Sequence, residues 1–234
     1  MAEGLEAPRI TDPNQVLVRV HAASVEPVDI SILSGLGRHE RPRSSSKGSS
    51  SERLVLGRDL SGVVVEVGIN VTTLDVGDQV WAIVPLTARY TEHQTFQVFA
   101  KYFQSVFHFN FGRNGALTDC VTLNESQVRR KPAKIGHAGA STVPYSGLTA
   151  WKALHEAGIL PNATSRGKVV LVVDATSAVG CLAVQLVRTW GATAIAVVNH
   201  RKLAPLATMM GASSVIVVDN DDHSVVSTSI LGHL

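Results

Sequence analysis

The sequence predicts an α/β protein in which a small, barrel-like β domain precedes part of a doubly wound parallel sheet. Three observations carry this reading. Short β runs with glycine corners crowd residues 54–82 and continue through 115–132. After Val143 the pattern changes to strands and helices in alternation, β-α-β-α-β. All six phenylalanines fall between Phe96 and Phe111, so the rest of the chain must build its core from Val, Leu, Ile and Ala. Such a core is the habit of parallel sheets buried on both faces.

The elements follow in order. Gln15–Ala22 alternates Val16, Val18 and Val20 against Leu17, Arg19 and His21, which is a strand period. Residues 38–53 are rich in serine and basic residues with almost no apolar ones, and read as a long solvated loop. Val63–Val67 is a β run bounded by Gly62 and Gly68, and Gly77-Asp78 turns the chain into a short strand over Gln79–Ala82. Gly115–Leu123 and the Lys131-Pro132 turn extend this domain.

In the second half, Val169–Val173 is a continuous apolar run and reads as a buried parallel strand. Val179, Leu182, Ala183, Leu186, Val187 and Trp190 recur at helical spacing, with Gly191 closing the helix. Ala194–Val198 is the next strand, Lys202–Met210 the next helix with Gly211 after it, and Val215–Val218 the third strand. Polar residues 219–229 follow. The domains divide as 1–142 and 143–234.

Composition excludes several classes. Hydrophobic content of 45% with 17% charge is that of a globular chain. No apolar run reaches the roughly 18 residues of a membrane span. Cys120 and Cys181 cannot make a disulfide framework or a four-cysteine zinc site, and they suit a reducing compartment. A net charge of +2 leaves no nucleic-acid footprint. Residues 1–9 carry Glu3 and Glu6 without an apolar stretch, so neither a signal peptide nor a transit peptide is expected. The nine histidines are scattered without metal-ligand spacing, and no GxSxG elbow or GxxxxGK[ST] loop occurs.

Two segments carry chemistry. Asp174-Ala175-Thr176-Ser177-Ala178-Val179-Gly180 joins a strand to a helix, where a dinucleotide-binding fold brings backbone N–H groups to a pyrophosphate. Only the last glycine of a GxGxxG pattern, Gly180, is kept; small residues here also serve ordinary packing. The end of the second strand reads Val198-Asn199-His200-Arg201-Lys202. An acid at that place would bind the ribose hydroxyls of NAD, whereas a basic neighbourhood accommodates the 2′-phosphate of NADP. Arg201 and Lys202 without an acid favour NADP(H), the alternative being two solvated residues of a first helical turn.

With these residues in view, a resemblance emerges. VRVHAASVEPVD (18–29), LGRDLSGVVVEVG…VGDQVWA (56–82), VPYSGLTAWKAL (143–154) and the turn 174–180 occur in the order found in medium-chain dehydrogenase/reductases. More narrowly, the chain resembles their zinc-independent quinone oxidoreductase branch. The resemblance implies a GroES-like β-barrel domain followed by a Rossmann domain, here C-terminally incomplete. It further implies NADPH as cofactor and hydride transfer to a quinone-like acceptor. Where zinc enzymes of the superfamily have a Cys and a His–Glu pair, this chain has Ser24 or its neighbours and Arg58-Asp59, so no catalytic zinc, and no other metal site, is expected. The resemblance places Thr176, Ala178 and Val179 along the pyrophosphate turn and Asn199 near the 2′-phosphate; Ser177 and Gly180 of the same turn, with Arg201 and Lys202, complete the expected cofactor site. It makes Tyr145 and Thr149 candidates for lining the catalytic cleft, or for packing between domains. It also implies a mitochondrial location, with a cytoplasmic one as the alternative, and a reticulon-type membrane protein as a partner.

Departures from the family pattern set up a second expectation. The family's Asn before Pro-x-Asp is Glu26, its GASGGVG turn is DATSAVG, and its tyrosine after the third Rossmann strand is Val218. The chain stops after three strands where a full doubly wound sheet has about six. An insertion at about 86–114 adds roughly 25 residues where the family has a short link, and it holds every phenylalanine. Phe96, Phe99, Phe103 and Phe107 share one helical face there, for docking to a partner or membrane or as an accreted segment. A non-catalytic scaffold that has lost cofactor binding is therefore the alternative to the enzyme.

Overall fold

The computed structural model describes residues 8–34, 55–84 and 115–218. The serine-rich loop 38–53, the Phe-rich insertion 86–114 and the polar stretch 219–229 lie outside the described residues. The chain forms two compact units, divided between Pro144 and Tyr145.

The first unit is a five-stranded antiparallel sheet in the order β4-β1-β2-β3-β5. Its strands are β1 (Gln15–Ala23), β2 (Asp59–Val67), β3 (Gln79–Ile83), β4 (Cys120–Asn124) and β5 (Val128–Arg130). Helix α1 (Pro27–Leu33) follows β1, and the short α2 (His137–Ala140) follows β5. Alternation in β1 buries Val16 and Val18 completely, against Leu60, Val64, Val80, Val121 and Val128. Among the described residues, no aromatic side chain belongs to this core. Each such residue contributes about 1.5–3 kcal/mol by burial.

β2 begins earlier than its apolar run suggests. It starts at Asp59 and runs straight through Gly62, which was expected to bound the strand. The reason is close packing: a Cβ on Gly62 would lie 2.2 Å from the Arg19 carbonyl oxygen of β1. Glycine here admits a backbone approach in the middle of the ladder rather than ending it. β1 pairs with β2 from Val16↔Val67 to Ala23↔Leu60, with register shifts between Leu17 and Val18 and between Val20 and Ala22. The Gly77-Asp78 turn is present, with Gly77 at φ +96 where a side chain would be strained.

The second unit is a parallel sheet ordered β6-β7-β8, from β6 (Val169–Val173), β7 (Thr193–Val198) and β8 (Ser214–Val217). Helix α3 (Pro144–Glu156) precedes it, α4 (Ala178–Thr189) connects β6 to β7, and α5 (Ala204–Met210) connects β7 to β8. The periodicity expected of α4 is realised: Ala183, Val184 and Val187 pack on Val172, Ala194, Ala196 and Val198. The segment after β7 differs from its expected single helix. Arg201–Leu203 is a 3₁₀ turn, and the α-helix starts only at Ala204, with Pro205 in its first turn. Gly211 ends it in the left-handed region at φ +107.

One expectation is overturned. β6 is not buried on both faces: Val169 is 55% exposed and Val173 69%, with Leu171 on the same side. Residues two apart share a face, and the helices of this unit cover the opposite one, where Val172 lies. β6 is also an edge strand among the described residues, whereas central β7 is buried from Ala194 to Val198.

The glycine in mid-strand gives a stability test. Gly62→Ala should lower the urea-unfolding free energy of the chain by about 1–3 kcal/mol through overpacking. An unchanged midpoint would show that the β1–β2 approach is looser than described.

Candidate functional site

The turn expected to hold a pyrophosphate is built by backbone geometry. Asp174 ends β6 in the left-handed region, φ +54, a conformation that Asp tolerates better than most residues. Its carbonyl accepts from the Ser177 N–H at 3.0 Å and from the Ser177 hydroxyl at 2.8 Å. Ser177 caps α4, its hydroxyl oxygen accepting from the Gly180 N–H at 3.1 Å. A Cβ on Gly180 would lie 2.2 Å from the Asp174 carbonyl oxygen, so only glycine lets the helix close on the turn. The first N–H groups of a helix have no intrahelical partner. With Gly180 satisfied by Ser177, Ala178 and Val179 are the ones left to present theirs. Thr176, Ser177 and Val179 are half-buried and Ala178 is exposed. Burial pushes the Cys181 thiol up, and the Asp174 carboxylate adds to this, so that negative charge is felt at the first turn of α4.

At the end of β7, Asn199, His200, Arg201 and Lys202 are all exposed. His200 Nδ1 accepts from the Lys202 N–H at 3.0 Å and holds the 3₁₀ turn that carries both cations. Arg201 and Lys202 make no ion pair among the described residues. Tyr145 and Thr149 both lie on α3. Thr149 is buried, and its hydroxyl donates to the Tyr145 carbonyl at 2.8 Å, one turn back on its own helix.

The first unit holds a polar cluster where β1 runs into α1 beside the start of β2. The Ser24 N–H donates to the Asp59 carbonyl at 3.0 Å. Asp29 is buried; its Oδ1 accepts from the Gly57 N–H at 2.9 Å and its Oδ2 from the Glu26 N–H at 2.8 Å. One carboxylate thus ties α1 to the segment leading into β2. Glu26 Oε2 faces Arg58 Nη1 at 3.9 Å, with both side chains mostly buried. Burial pushes the Glu26 carboxyl above the ordinary glutamate value, Arg58 offsets part of that, and Asp29 adds to it. The Ser24 hydroxyl oxygen is buried with no hydrogen-bond partner among the described residues.

A second cluster was not legible in the sequence. The fold stacks two of the scattered histidines, His21 of β1 and His137 of α2, with ring centroids 4.6 Å apart. His137 Nδ1 lies 2.8 Å from the hydroxyl of the fully buried Ser61. That hydroxyl also donates to the Val80 carbonyl at 2.8 Å, so Nδ1 is the protonated nitrogen of His137 and donates to Ser61. Burial lowers the pKa of His137, and the charges of His21 and Lys131 lower it further. No spacing rule links positions 21, 61 and 137; the pairing of β1 with β2 and the packing of α2 on them do. A surface concavity of about 670 Å³, lined by Thr73, Glu125 and Arg130 among others, lies in the same unit and includes none of these clustered residues. Among the described residues, no group of three or more His, Cys, Asp or Glu is placed to hold a metal ion.

An antiparallel domain followed by a parallel β-α-β-α-β unit, with a glycine-tight strand-to-helix turn, is the architecture of a two-domain fold whose second part is of the doubly wound kind. Comparison with known proteins agrees. Residues 12–143 match the alcohol dehydrogenase GroES-like domain, and the chain belongs to that family. Within it, the chain is a quinone-oxidoreductase-like medium-chain dehydrogenase/reductase. It is 33% identical over 220 residues to the Mus musculus protein named NAD(P)H oxidoreductase RTN4IP1, mitochondrial, covering 92% of this chain and 49% of that one. It is 28% identical over 210 residues to the Caenorhabditis elegans Reticulon-4-interacting protein 1, mitochondrial, covering 88% of this chain and 50% of that one. The solved quinone oxidoreductase of Coxiella burnetii superposes with a TM-score of 0.61 at 27% identity, over 87% of this chain and 53% of that one. The chain spans about half the length of the curated relatives it matches.

The histidine stack generates a pH test. The folded pKa of His137 lies below its ordinary 6.5, so its contribution to stability is present above that value and lost as pH falls through the folded one. The stability difference between the chain and its His137→Gln variant should therefore shrink as pH is lowered from about 7.5 to about 5.5. A difference independent of pH would contradict the neutral, Ser61-bound imidazole.

Proposed function

We propose that the chain carries the cofactor-binding and acceptor-side residues of an NADPH-dependent oxidoreductase that passes a hydride to a quinone-like acceptor without a metal ion. The observation that carries the cofactor assignment is the end of β7: two exposed cations, Arg201 and Lys202, on a turn held by His200, with no carboxylate in that stretch. The turn 174–180 fits a dinucleotide in its strand-turn-helix geometry and in the close approach at Gly180. In this reading Thr176, Ser177, Ala178, Val179 and Gly180 hold the pyrophosphate, and Asn199, Arg201 and Lys202 the 2′-phosphate.

When bound, the nicotinamide supplies the hydride. The chain's own residues supply the rest. The Ala178 and Val179 N–H groups orient the diphosphate at the start of α4, and the cations after β7 select the phosphorylated ribose. Tyr145 remains a candidate for the acceptor side. Thr149 is a weaker one, because its hydroxyl is already used within α3. Residues 1–142 form the catalytic domain of this reading and 143–234 the NADP-binding one. Zinc independence is supported by side-chain chemistry: neither Ser24 nor its neighbours Ala23, Val25 and Glu26 offer a thiolate, and Arg58 is a cation. A mitochondrial location and a reticulon-type membrane partner are supported by the names of the Mus musculus and Caenorhabditis elegans relatives.

A second reading, a scaffold without catalysis, is favoured by one feature. Asp174 places a carboxylate where the family has glycine, and its charge reaches the first turn of α4. Phosphate binding there works against that charge.

The double variant Arg201→Glu/Lys202→Glu tests the cofactor assignment. Calorimetric titration should show NADPH affinity reduced by at least tenfold while NADH affinity changes by less than about twofold, since only the former carries the extra phosphate. Equal losses for both cofactors would remove these residues from the site.

A further inference from the structure

We propose that β6 is a self-association edge: it pairs antiparallel with β6 of a second copy of this chain, about a two-fold axis at Leu171. The first observation is an open edge. Among the described residues, β6 hydrogen-bonds to β7 alone. The Lys168 carbonyl accepts from the Thr193 N–H of β7 at 2.9 Å. Backbone groups alternate sides along a strand, so Val170 and Val172 also point theirs at β7. The N–H and C=O groups of Val169, Leu171 and Val173 therefore point outward, and no hydrogen bond to them is found among the described residues.

Natural edge strands are blunted by charges, prolines, bulges or a cover. The run Val169–Val173 contains no charge and no proline. Val169, Leu171 and Val173 are exposed, yet Ile195 and Val197, which pair with Leu171 and Val173 and share their face, are buried. What β6 lacks is a neighbour at its side.

The sequence selects that neighbour. VVLVV reads the same in both directions, and Lys168 and Asp174 flank it at equal distance from Leu171. An antiparallel pairing centred on Leu171 sets Leu171 against its own copy and Val169 against Val173 of the second copy. These are the residues whose backbone groups point outward, so each finds a partner in the ladder. The same register sets Lys168 against Asp174 of the second copy, at both ends of the strand. A parallel pairing in register would bring like charges together instead. Both side chains are exposed, and neither makes an ion pair among the described residues. Lys168 Nζ gives one hydrogen bond, to the Gly158 carbonyl at 2.8 Å, and an ammonium has three to give. Exposed pairs of this kind fix partner and register, while the ladder and the valine contacts supply the affinity. A two-fold contact closes on itself, so the product is a dimer with one continuous sheet, β8-β7-β6-β6-β7-β8.

Light scattering on the full chain, over about a hundredfold range of concentration, tests this by mass action. The mass should rise from the 24.9 kDa of one chain to twice that value. Lys168→Asp alone and Asp174→Lys alone should each weaken the dimer by about tenfold or more, because each sets like charges opposite one another. Mixing the two single variants should restore a dimer, and so should the double exchange within one chain. Two further readouts do not depend on how the charge variants fold. Hydrogen exchange of the Val169, Leu171 and Val173 amides should slow as concentration rises. Leu171→Cys chains should cross-link on oxidation through the introduced thiols, shown by peptide mass mapping, because opposed residues of the ladder lie about 5.5 Å apart at Cα. A dimer indifferent to the charge variants forms through another surface and overturns the proposal. A monomer at every concentration overturns it as well: slow exchange at the three amides then assigns the edge to another segment of the same chain, and fast exchange leaves it open.

Discussion

The close approach of β1 and β2 at Gly62 is the constraint on which the first unit depends. A backbone contact that leaves no room for a Cβ draws the two strands together in the middle of the sheet. The register shifts in β1 fall on either side of it. Such irregularities bend a strand and re-aim its side chains. From this pairing follow both polar clusters of the unit. Ser61, paired with Ala22, meets His137 of α2, and the chain beyond Ala23 meets the chain before Leu60 to juxtapose Ser24 with Asp59 and Glu26 with Arg58. The same ladder packs Val16, Val18, Leu60 and Val64 into the core, so the clusters stand beside the fully buried part of the domain.

The second unit repeats the device at Gly180. There the glycine lets α4 close on the turn after β6, and Asp174 takes the left-handed conformation that the turn requires. An aspartate can do this at modest cost in backbone energy, but it brings a charge that glycine does not. Two effects therefore compete at this turn. Helix N–H groups and the cations after β7 attract phosphate, while the Asp174 carboxylate opposes it. Asp174, Arg201 and Lys202 are all exposed, so added salt weakens both effects.

Much of this was legible in the sequence because it rests on local pattern. Val16 and Val18 alternate with polar neighbours, so β1 and its buried face follow directly. The helical spacing from Val179 to Trp190 marks α4, and Gly211 after Met210 marks the end of α5. The family blocks around residues 18–29 and 56–82 point to the oxidoreductase scaffold and single out Glu26. What pattern could not supply is pairing at long range. His21, Ser61 and His137 come together only through the β1–β2 pairing and the packing of α2 on it, and the Glu26–Arg58 contact depends on where α1 begins relative to β2. The apolar run Val169–Val173 misled for a related reason. Its composition is that of a strand covered on both sides, but exposure is decided by neighbours that a five-residue window does not contain.

The account turns on whether the strand-turn-helix at 174–180 and the cations at 201–202 form a working cofactor site despite Asp174. Titrating NADPH into the purified chain and following nicotinamide fluorescence measures this directly. The account predicts a saturable change with an affinity in the micromolar range typical of enzyme ligands. A signal that fails to saturate even at millimolar NADPH would contradict it and leave the scaffold reading in its place.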